Sequence, residues 1–236
     1  MIAIGNFLFR CRNALFPLAF GLVFLPGPPL FEDPLMALAA GALLALMGEA
    51  MRVGTIGLKY IIRGGRERRV YAEDLVTGGL YSHTRNPMYV GNLLILAGIA
   101  VASNSWTCVI VAIPLFAFFY ACIVAAEEDY LGRKFGPAFD AYVRDVPRWA
   151  VRIQGLSATL RSTRFSWRRV LVKEYGTPFG WIAGLCALGL LRVAGTESLE
   201  AEHPLLTEVL LAVLVVAALL WGVARWLKKS RIVVAD

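Results

Sequence analysis

Long apolar stretches recur along the chain, separated by short polar turns and by two longer polar intervals. A bilayer hydrocarbon core about 30 Å thick requires roughly 20 helical residues to cross it. The alternating apolar and polar pattern of β-barrel strands does not occur, and backbone groups in lipid have to be paired internally. The pattern therefore predicts an all-α protein, a polytopic transmembrane helical bundle with about six spans.

The six predicted spans are bounded by prolines, glycines and polar turns. They cover residues 13–30, 34–51, 87–102, 106–126, 179–193 and 205–227. The third and fifth spans are short for a full crossing, so tilt, local thinning or longer helices are expected. No small-residue cleavage site follows the apolar N-terminal stretch. We therefore expect this stretch to be a retained span and not a removed signal peptide.

Composition and charge agree with this interpretation. The 236 residues are 58% hydrophobic and 17% charged, with a mean hydropathy of +0.63, and soluble domains usually carry more charge. Nearly all of the 24 Lys and Arg residues lie before the first span, in residues 52–86, in residues 127–178 or at the C-terminus. Only Arg192 lies near the other side, where the loops carry Glu32, Asp33, Glu197, Glu200 and Glu202. This asymmetry predicts an integral, multi-pass protein of a bacterial inner membrane with both termini in the cytoplasm.

The net charge of +7 is therefore interpreted as a topology signal and as contact with anionic lipids, and not as nucleic-acid binding. Residues 164–169, Arg-Phe-Ser-Trp-Arg-Arg, interleave basic and aromatic side chains. On a membrane protein, this pattern favours a helix that lies in the interface over a nucleic-acid patch. The four cysteines and two histidines do not have the spacing of metal ligands, so no metal site is expected.

The first informative polar segment, residues 78–92, leads into the third span. Pro87 suits the first position of a helix, and Asn86 before it is a plausible N-cap. Tyr89, one turn into the helix, suits the headgroup level of a bilayer. Local structure accounts for these three residues without a function, but it does not account for Arg85 beside them.

The second informative segment begins where the fourth span ends, with Glu127, Glu128 and Asp129. Three acids at a helix C-terminus would oppose the helix dipole, so either the helix continues or cations lie opposite. Asp129 can pair with Arg133 four residues on. Glu127 and Glu128 have no evident local partner, and ionisable groups at such a depth are functional candidates. Simple solvation at the interface is an equal alternative.

Taken together, in this order and spacing, the two segments resemble the isoprenylcysteine carboxyl methyltransferase family, which belongs with the phospholipid methyltransferases. The resemblance covers roughly residues 40–153. It rests on Gly79-Leu80-Tyr81, Arg85-Asn86-Pro87-Met88-Tyr89-Val90-Gly91, Glu127-Glu128, Leu131, Phe135-Gly136, Phe139, Tyr142 and Val146-Pro147-Arg148-Trp149. The family most often has His where this chain has Asn86. An amide can hydrogen-bond but cannot shuttle protons, so a mechanism that needs an imidazole there is in doubt.

The resemblance implies an integral membrane enzyme that uses S-adenosylmethionine. Loops and helix ends would form a cytoplasmic cofactor pocket, and a lipophilic acceptor would enter from the bilayer. Arg85 would pair with the cofactor carboxylate, and Glu127 or Glu128 would hold the ammonium group or the ribose hydroxyls. The candidate catalytic residues are Glu128 and Arg148, the latter positioning an anionic acceptor. The candidate cofactor-binding residues are Tyr81, Arg85, Asn86, Pro87, Tyr89, Glu127, Glu128 and Tyr142.

The predicted organisation is a membrane methyltransferase core over residues 1–153, an amphipathic connector over 154–178 and two further spans over 179–236. The connector is favoured over a substrate gate. The last two spans would shape a lipid chamber or support a homodimer, because glycines at 176, 180, 184 and 189 form a small-residue stripe. The acceptor group stays open among carboxylate, amine and thiol. Two other functions also stay open: a sterol-reductase-type enzyme using NADPH, and a non-enzymatic membrane scaffold or transporter.

Overall fold

The structure, a computed structural model, describes residues 1–59, 70–195, 199, 201 and 203–233. Part of the basic interval (60–69) and the acidic residues Glu197, Glu200 and Glu202 lie outside the described residues. Helix is the only regular secondary structure in the described part, which confirms the all-α prediction. Among the described residues we label nine α-helices, α1 to α9 in chain order: Ile2–Ala19, Pro34–Leu58, Pro87–Ala102, Trp106–Phe135, Pro137–Asp145, Leu156–Ser162, Trp167–Glu174, Gly176–Ala194 and Leu206–Lys229.

Five of these helices are long and apolar enough to cross a membrane: α1 together with the 3₁₀ turn Phe20–Phe24 that extends it, α2, α4, α8 and α9. Helix α3 is apolar but has only 16 residues, and it packs against both α2 and α4. The protein is thus a polytopic helical membrane bundle, and its described residues provide five helices of spanning length and one shorter apolar helix.

Helix α3 begins and ends where the sequence predicts. Pro87 occupies its first turn, and Asn86 is the residue at its N-cap, although the Asn86 side chain makes no capping hydrogen bond. Helix α4 begins at Trp106 as predicted but continues nine residues beyond residue 126, to Phe135. Because the helix continues, Glu127 and Glu128 lie within it and not at its negative pole, and the dipole conflict disappears.

The predicted first span, residues 13–30, is wrong. The helix begins at Ile2, and its 3₁₀ extension ends at Phe24, before the prolines at 26, 28 and 29. Gly5, Leu8 and Phe9 are buried on one face of this helix, so the residues before Arg10 already pack against the bundle. Arginine side chains are long enough to extend from within a span, and for that reason two arginines do not mark its start.

Helices α2 and α3 pack closely through two pairs of glycines. A Cβ atom on Gly48 would lie 2.5 Å from the carbonyl oxygen of Gly91, and a Cβ on Gly41 would lie 2.4 Å from that of Gly98. Each helix places its two glycines seven residues apart, so both pairs meet in one antiparallel contact. Small residues at such a contact allow backbones to approach, which is how membrane helices gain packing energy without a hydrophobic driving force.

A buried polar cluster joins the C-terminal helices to this pair. The Arg52 side chain of α2 donates from Nε to Glu174 Oε1 (2.5 Å), from one terminal nitrogen to Asn92 Oδ1, and from the other to Thr177 Oγ1 (3.1 Å). The side chains of Arg52 and Glu174 are 7% and 1% exposed. We call these four residues the closed cluster.

One turn before Arg52, Glu49 accepts a hydrogen bond from the Trp181 indole of α8 (3.1 Å). The predicted small-residue stripe of α8 is only partly used within the chain. A Cβ on Gly189 would lie 2.7 Å from Leu210 of α9, whereas nothing lies within 4 Å of such an atom on Gly180. Side chains of α8, more than its glycines, therefore fix the helix to α2.

The predicted connector, residues 154–178, contains α6, α7 and the start of α8. Phe165 packs over Gly57, and the amide of Ser166 donates to the Gly57 carbonyl oxygen (2.9 Å). Arg169 points at the carbonyls that end α2, where a cation is favourable. The Trp167 ring packs against the Phe165 ring, with 4.6 Å between the ring centres, although Trp167 is 71% exposed. The connector thus caps the end of α2.

Candidate functional site

The two polar segments singled out in the sequence lie side by side. The backbone amide of Arg85 donates to the carbonyl oxygen of Pro147, and that of Arg152 donates to His83, each over 2.9 Å. The His83 ring contacts the Arg152 carbonyl oxygen through Nδ1 (2.6 Å). These bonds fix residues 83–85 against residues 147–152, although about 60 residues of chain separate them.

Glu128 lies between two arginines at this junction. Its Oε1 atom is 3.1 Å from the Arg85 guanidinium and accepts from Arg148 Nε at 3.2 Å, while its Oε2 atom is paired with a terminal nitrogen of Arg148. The exposed fractions of the side chains are 9% for Arg85, 15% for Glu128 and 48% for Arg148. We call these three residues the open cluster.

The Arg85 side chain also hydrogen-bonds the backbone of the second polar segment. One of its terminal nitrogens donates to the carbonyl oxygens of Val143 (2.9 Å) and Val146 (3.2 Å), at the end of α5. Its Nε atom is buried without a hydrogen-bond partner among the described residues. The open cluster thus contains one more cation than carboxylate, an unused donor and an exposed guanidinium.

Glu127, the neighbouring acid, points to a different partner. It accepts a hydrogen bond from the Tyr89 hydroxyl on α3 (2.7 Å), and the Tyr89 ring lies 5.1 Å from the Tyr120 ring. Leu8 and Phe9 of α1 and Trp149 belong to the same apolar cluster. Tyr89 was predicted to reach the headgroup level, whereas its hydroxyl is bonded within the bundle.

The other predicted site residues support the junction. The Tyr142 hydroxyl donates to the backbone carbonyl of Tyr81 (2.7 Å), and the Asn86 amide donates to that of Arg148 (3.1 Å). Burial raises the pKa of Tyr142, an effect that Arg85 opposes and Glu128 strengthens, so the hydroxyl stays protonated as a donor. Pro87 is buried at the start of α3. All eight predicted cofactor-binding residues and Arg148 therefore lie on the two joined segments or on the α3–α4 contact beside them.

Residue types at this site fit S-adenosylmethionine. A guanidinium is a bidentate partner for a carboxylate, and the open cluster has one guanidinium more than its own carboxylate needs. Glu127 and Glu128 are acceptors suited to an ammonium group or to hydroxyls. No group of three or more His, Cys, Asp or Glu side chains among the described residues is arranged to hold a metal ion.

Sequence reasoning missed Arg12 and the closed cluster. Arg12 was counted as a charge before the first span, but it lies inside α1 near the Tyr89–Glu127 pair. A detectable signal was its position on the stripe of Gly5, Phe9 and Phe16, at spacings of three and four residues. The pairing of Arg52 with Glu174 joins residues 122 positions apart, and nothing in the local sequence reports it.

The fold and this site define a class: a helical membrane protein with a charged site where helix ends and loops meet. Within that class, residues 35–138 match the sequence model of the phospholipid methyltransferase family. This match confirms the resemblance to the phospholipid methyltransferases for that part of the chain. It includes Arg85, Asn86, Tyr89, Glu127 and Glu128, and it ends before Tyr142 and Arg148.

Two curated proteins are similar to part of the chain. The nickel-cobalt-cadmium resistance protein NccN of Alcaligenes xylosoxydans xylosoxydans is 35% identical over 80 residues, or 34% of this chain and 37% of that protein. The cobalt-zinc-cadmium resistance protein CzcN of Cupriavidus metallidurans is 35% identical over 79 residues, or 34% of this chain and 36% of that protein. The chain thus aligns with little more than a third of either relative. No solved structure gives a significant match.

Proposed function

We propose that this protein is an integral membrane methyltransferase that transfers the methyl group of S-adenosylmethionine to a lipophilic acceptor. The observation that carries the proposal is the open cluster, in which Glu128 holds Arg85 and Arg148 together at the junction of the two segments. A family of phospholipid methyltransferases that matches residues 35–138 supports the same activity.

The chain's own residues would bind the cofactor and orient the acceptor. Arg148, half exposed, would hold the cofactor carboxylate together with Arg85, instead of the acceptor role that the sequence suggested for it. Glu128 would keep both guanidiniums in place. Glu127, fixed by the Tyr89 hydroxyl, would face the ammonium group or the ribose. The bound cofactor supplies an activated methyl group on a sulfonium. Catalysis would then rest on holding the acceptor in line with it, because proximity and orientation lower the barrier to displacement.

The predicted topology completes the proposal. The site would face the cytoplasm of a bacterial inner membrane, with both termini on that side, and the acceptor would come from the bilayer. The basic residues around the site would also contact anionic lipids. Methylation of a carboxylate or a thiolate would need no general base.

Binding of S-adenosylhomocysteine to the detergent-purified protein, measured by calorimetry, tests the proposal. We expect saturable micromolar binding by the wild type, and Glu128→Gln should weaken it at least tenfold because both guanidiniums lose their anchor. Asp129→Asn is the matched control. Asp129 is the next acid along the helix, and among the described residues its ion pair is with the exposed Arg133.

Equal affinity in Glu128→Gln and the wild type would contradict the site. A folded wild type that binds NADPH but not S-adenosylhomocysteine would favour the reductase alternative. A protein that binds neither cofactor would favour the scaffold.

A further inference from the structure

Arg12 is a cation near the middle of the span that α1 and its 3₁₀ extension form in the structure. Helix α1 with its 3₁₀ extension covers Ile2–Phe24, so Arg12 is close to its midpoint. It lies on the face that packs inward, in register with Gly5, Phe9 and Phe16. On the opposite face of the same helix, Arg10 is exposed. Ionisable groups at such a depth are costly unless they face a partner or a polar cavity.

The surroundings of Arg12 are aromatic. Its guanidinium lies 4.1 Å from the centre of the Phe9 ring. One turn further along α1, the Phe16 ring is 5.3 Å from the Tyr120 ring of α4. Phe9, on whose ring the Arg12 guanidinium lies, belongs to the same apolar cluster as Tyr89, which bonds Glu127. Arg12 therefore connects the candidate site to an apolar, aromatic wall formed by α1 and α4.

Within the described residues, Arg12 makes no hydrogen bond and no ion pair. The carboxylate within range of its charge, Glu127, is instead hydrogen-bonded to Tyr89. Arg12 is only partly buried, so part of the residue is accessible at the surface of the bundle. In a membrane-embedded protein, the surroundings at this depth are lipid chains. A ligand that reaches Arg12 from the lipid therefore has to carry an apolar tail.

We propose that Arg12 binds the anionic group of the lipophilic acceptor, which enters between α1 and α4 with its apolar chain against the aromatic wall. This rests on the proposed function, and it narrows the acceptor to an amphiphile with a carboxylate or phosphate group. A guanidinium binds either group with two parallel hydrogen bonds. Arg12 lies outside the residues that match the family model.

The test uses the full chain in dodecyl maltoside, titrated by calorimetry with dodecyl phosphate and with dodecanoate. The detergent has the same chain length and no charge, so it serves as the neutral background. We expect saturable binding of at least one anionic amphiphile, at least tenfold weaker in Arg12→Ala and partly retained in Arg12→Lys. Arg10→Ala is the matched control, and we expect it to bind like the wild type.

If Arg10→Ala and Arg12→Ala lose the same amount of affinity for the anionic amphiphiles, the proposal is overturned. It is also overturned if the wild type binds no amphiphile. Inorganic phosphate is titrated as well. If it binds through Arg12 as tightly as dodecyl phosphate does, the proposed requirement for an apolar tail on the ligand is overturned. S-adenosylhomocysteine binding is measured on every variant, and its change in Arg12→Ala should be much smaller than the loss of amphiphile binding, because Arg12 reaches Glu127 only through its charge. If the wild type binds amphiphiles through Arg12 but not S-adenosylhomocysteine, the proposed function fails and the Arg12 site stands.

Discussion

Two arginine–glutamate clusters in the described part of the protein differ in how completely their charges are paired. In the closed cluster, each guanidinium nitrogen of Arg52 donates to a side chain, and Glu174 is 1% exposed. In the open cluster, Glu128 serves two guanidiniums, and Arg148 is 48% exposed.

Because of this difference, we assign a structural role to the closed cluster and a ligand-binding role to the open cluster, although both contain arginine and glutamate. A buried ion pair with every group satisfied has nothing left to offer a ligand, and it ties α7 and α8 to α2 and α3. A cluster with an excess cation and an exposed guanidinium can take a further anion. We therefore expect changes to the closed cluster to alter stability, and changes to the open cluster to alter binding.

The largest effect is expected in the closed cluster. Glu174→Gln leaves the Arg52 charge buried without its carboxylate, which typically costs about 3–5 kcal/mol. Thermal unfolding in detergent should show a marked fall in Tm, while the molecules that remain folded bind S-adenosylhomocysteine normally. Exposed Asp140→Asn is the control and should leave Tm unchanged. Unchanged stability in Glu174→Gln would mean that the closed cluster does not hold the C-terminal helices.

A comparison within the open cluster comes next. Arg85→Ala removes bonds to the carbonyls of Val143 and Val146 as well as the pair with Glu128, so it should lower both Tm and ligand affinity. Hydrogen bonds from a charged group are worth about 1.5–3 kcal/mol each. Arg148→Ala should reduce affinity about tenfold, with little change in Tm, because exposed ion pairs contribute about 0–1 kcal/mol. If the two variants behave identically, Arg85 is not distinguished as a structural residue from Arg148 as a ligand-binding residue.

The smallest effect is expected for Asn86→His. The Asn86 amide donates one hydrogen bond to the Arg148 carbonyl, and an imidazole N–H can replace it. Calorimetry should give an affinity for S-adenosylhomocysteine within about threefold of the wild type, since a net hydrogen bond is worth about 1 kcal/mol. A complete loss of binding would indicate that the junction is built around the amide.

The sequence predicts the core of the fold and the components of the site. The bounds of α3 follow from Pro87 and from the polar turn after Ala102, and the pairing of Asp129 with Arg133 follows from helical spacing. The family resemblance brought Arg85, Glu128 and Arg148 into one hypothesis, and the structure places these side chains in contact.

Other features depend on contacts that only the folded chain reveals. The start of α1 was missed because Arg10 and Arg12 were counted as flanking charges, although a long side chain can leave a span sideways. The end of α4 was placed too early because its acids were treated as a boundary, whereas Tyr89 and Arg85 satisfy them from other segments. Such long-range partners leave no periodic signal in a single sequence.

The most direct test of the distinction between the clusters is the thermal shift that S-adenosylhomocysteine causes in four proteins: wild type, Glu128→Gln, Asp129→Asn and Glu174→Gln. A ligand that binds only the folded state raises Tm in proportion to ln(1 + [L]/Kd). We predict that Glu174→Gln causes the larger fall in the Tm of the free protein and keeps the ligand-induced shift, while Glu128→Gln lowers the Tm less and loses the shift. Asp129→Asn should change neither. The opposite assignment, or a shift that survives in Glu128→Gln, would contradict the account.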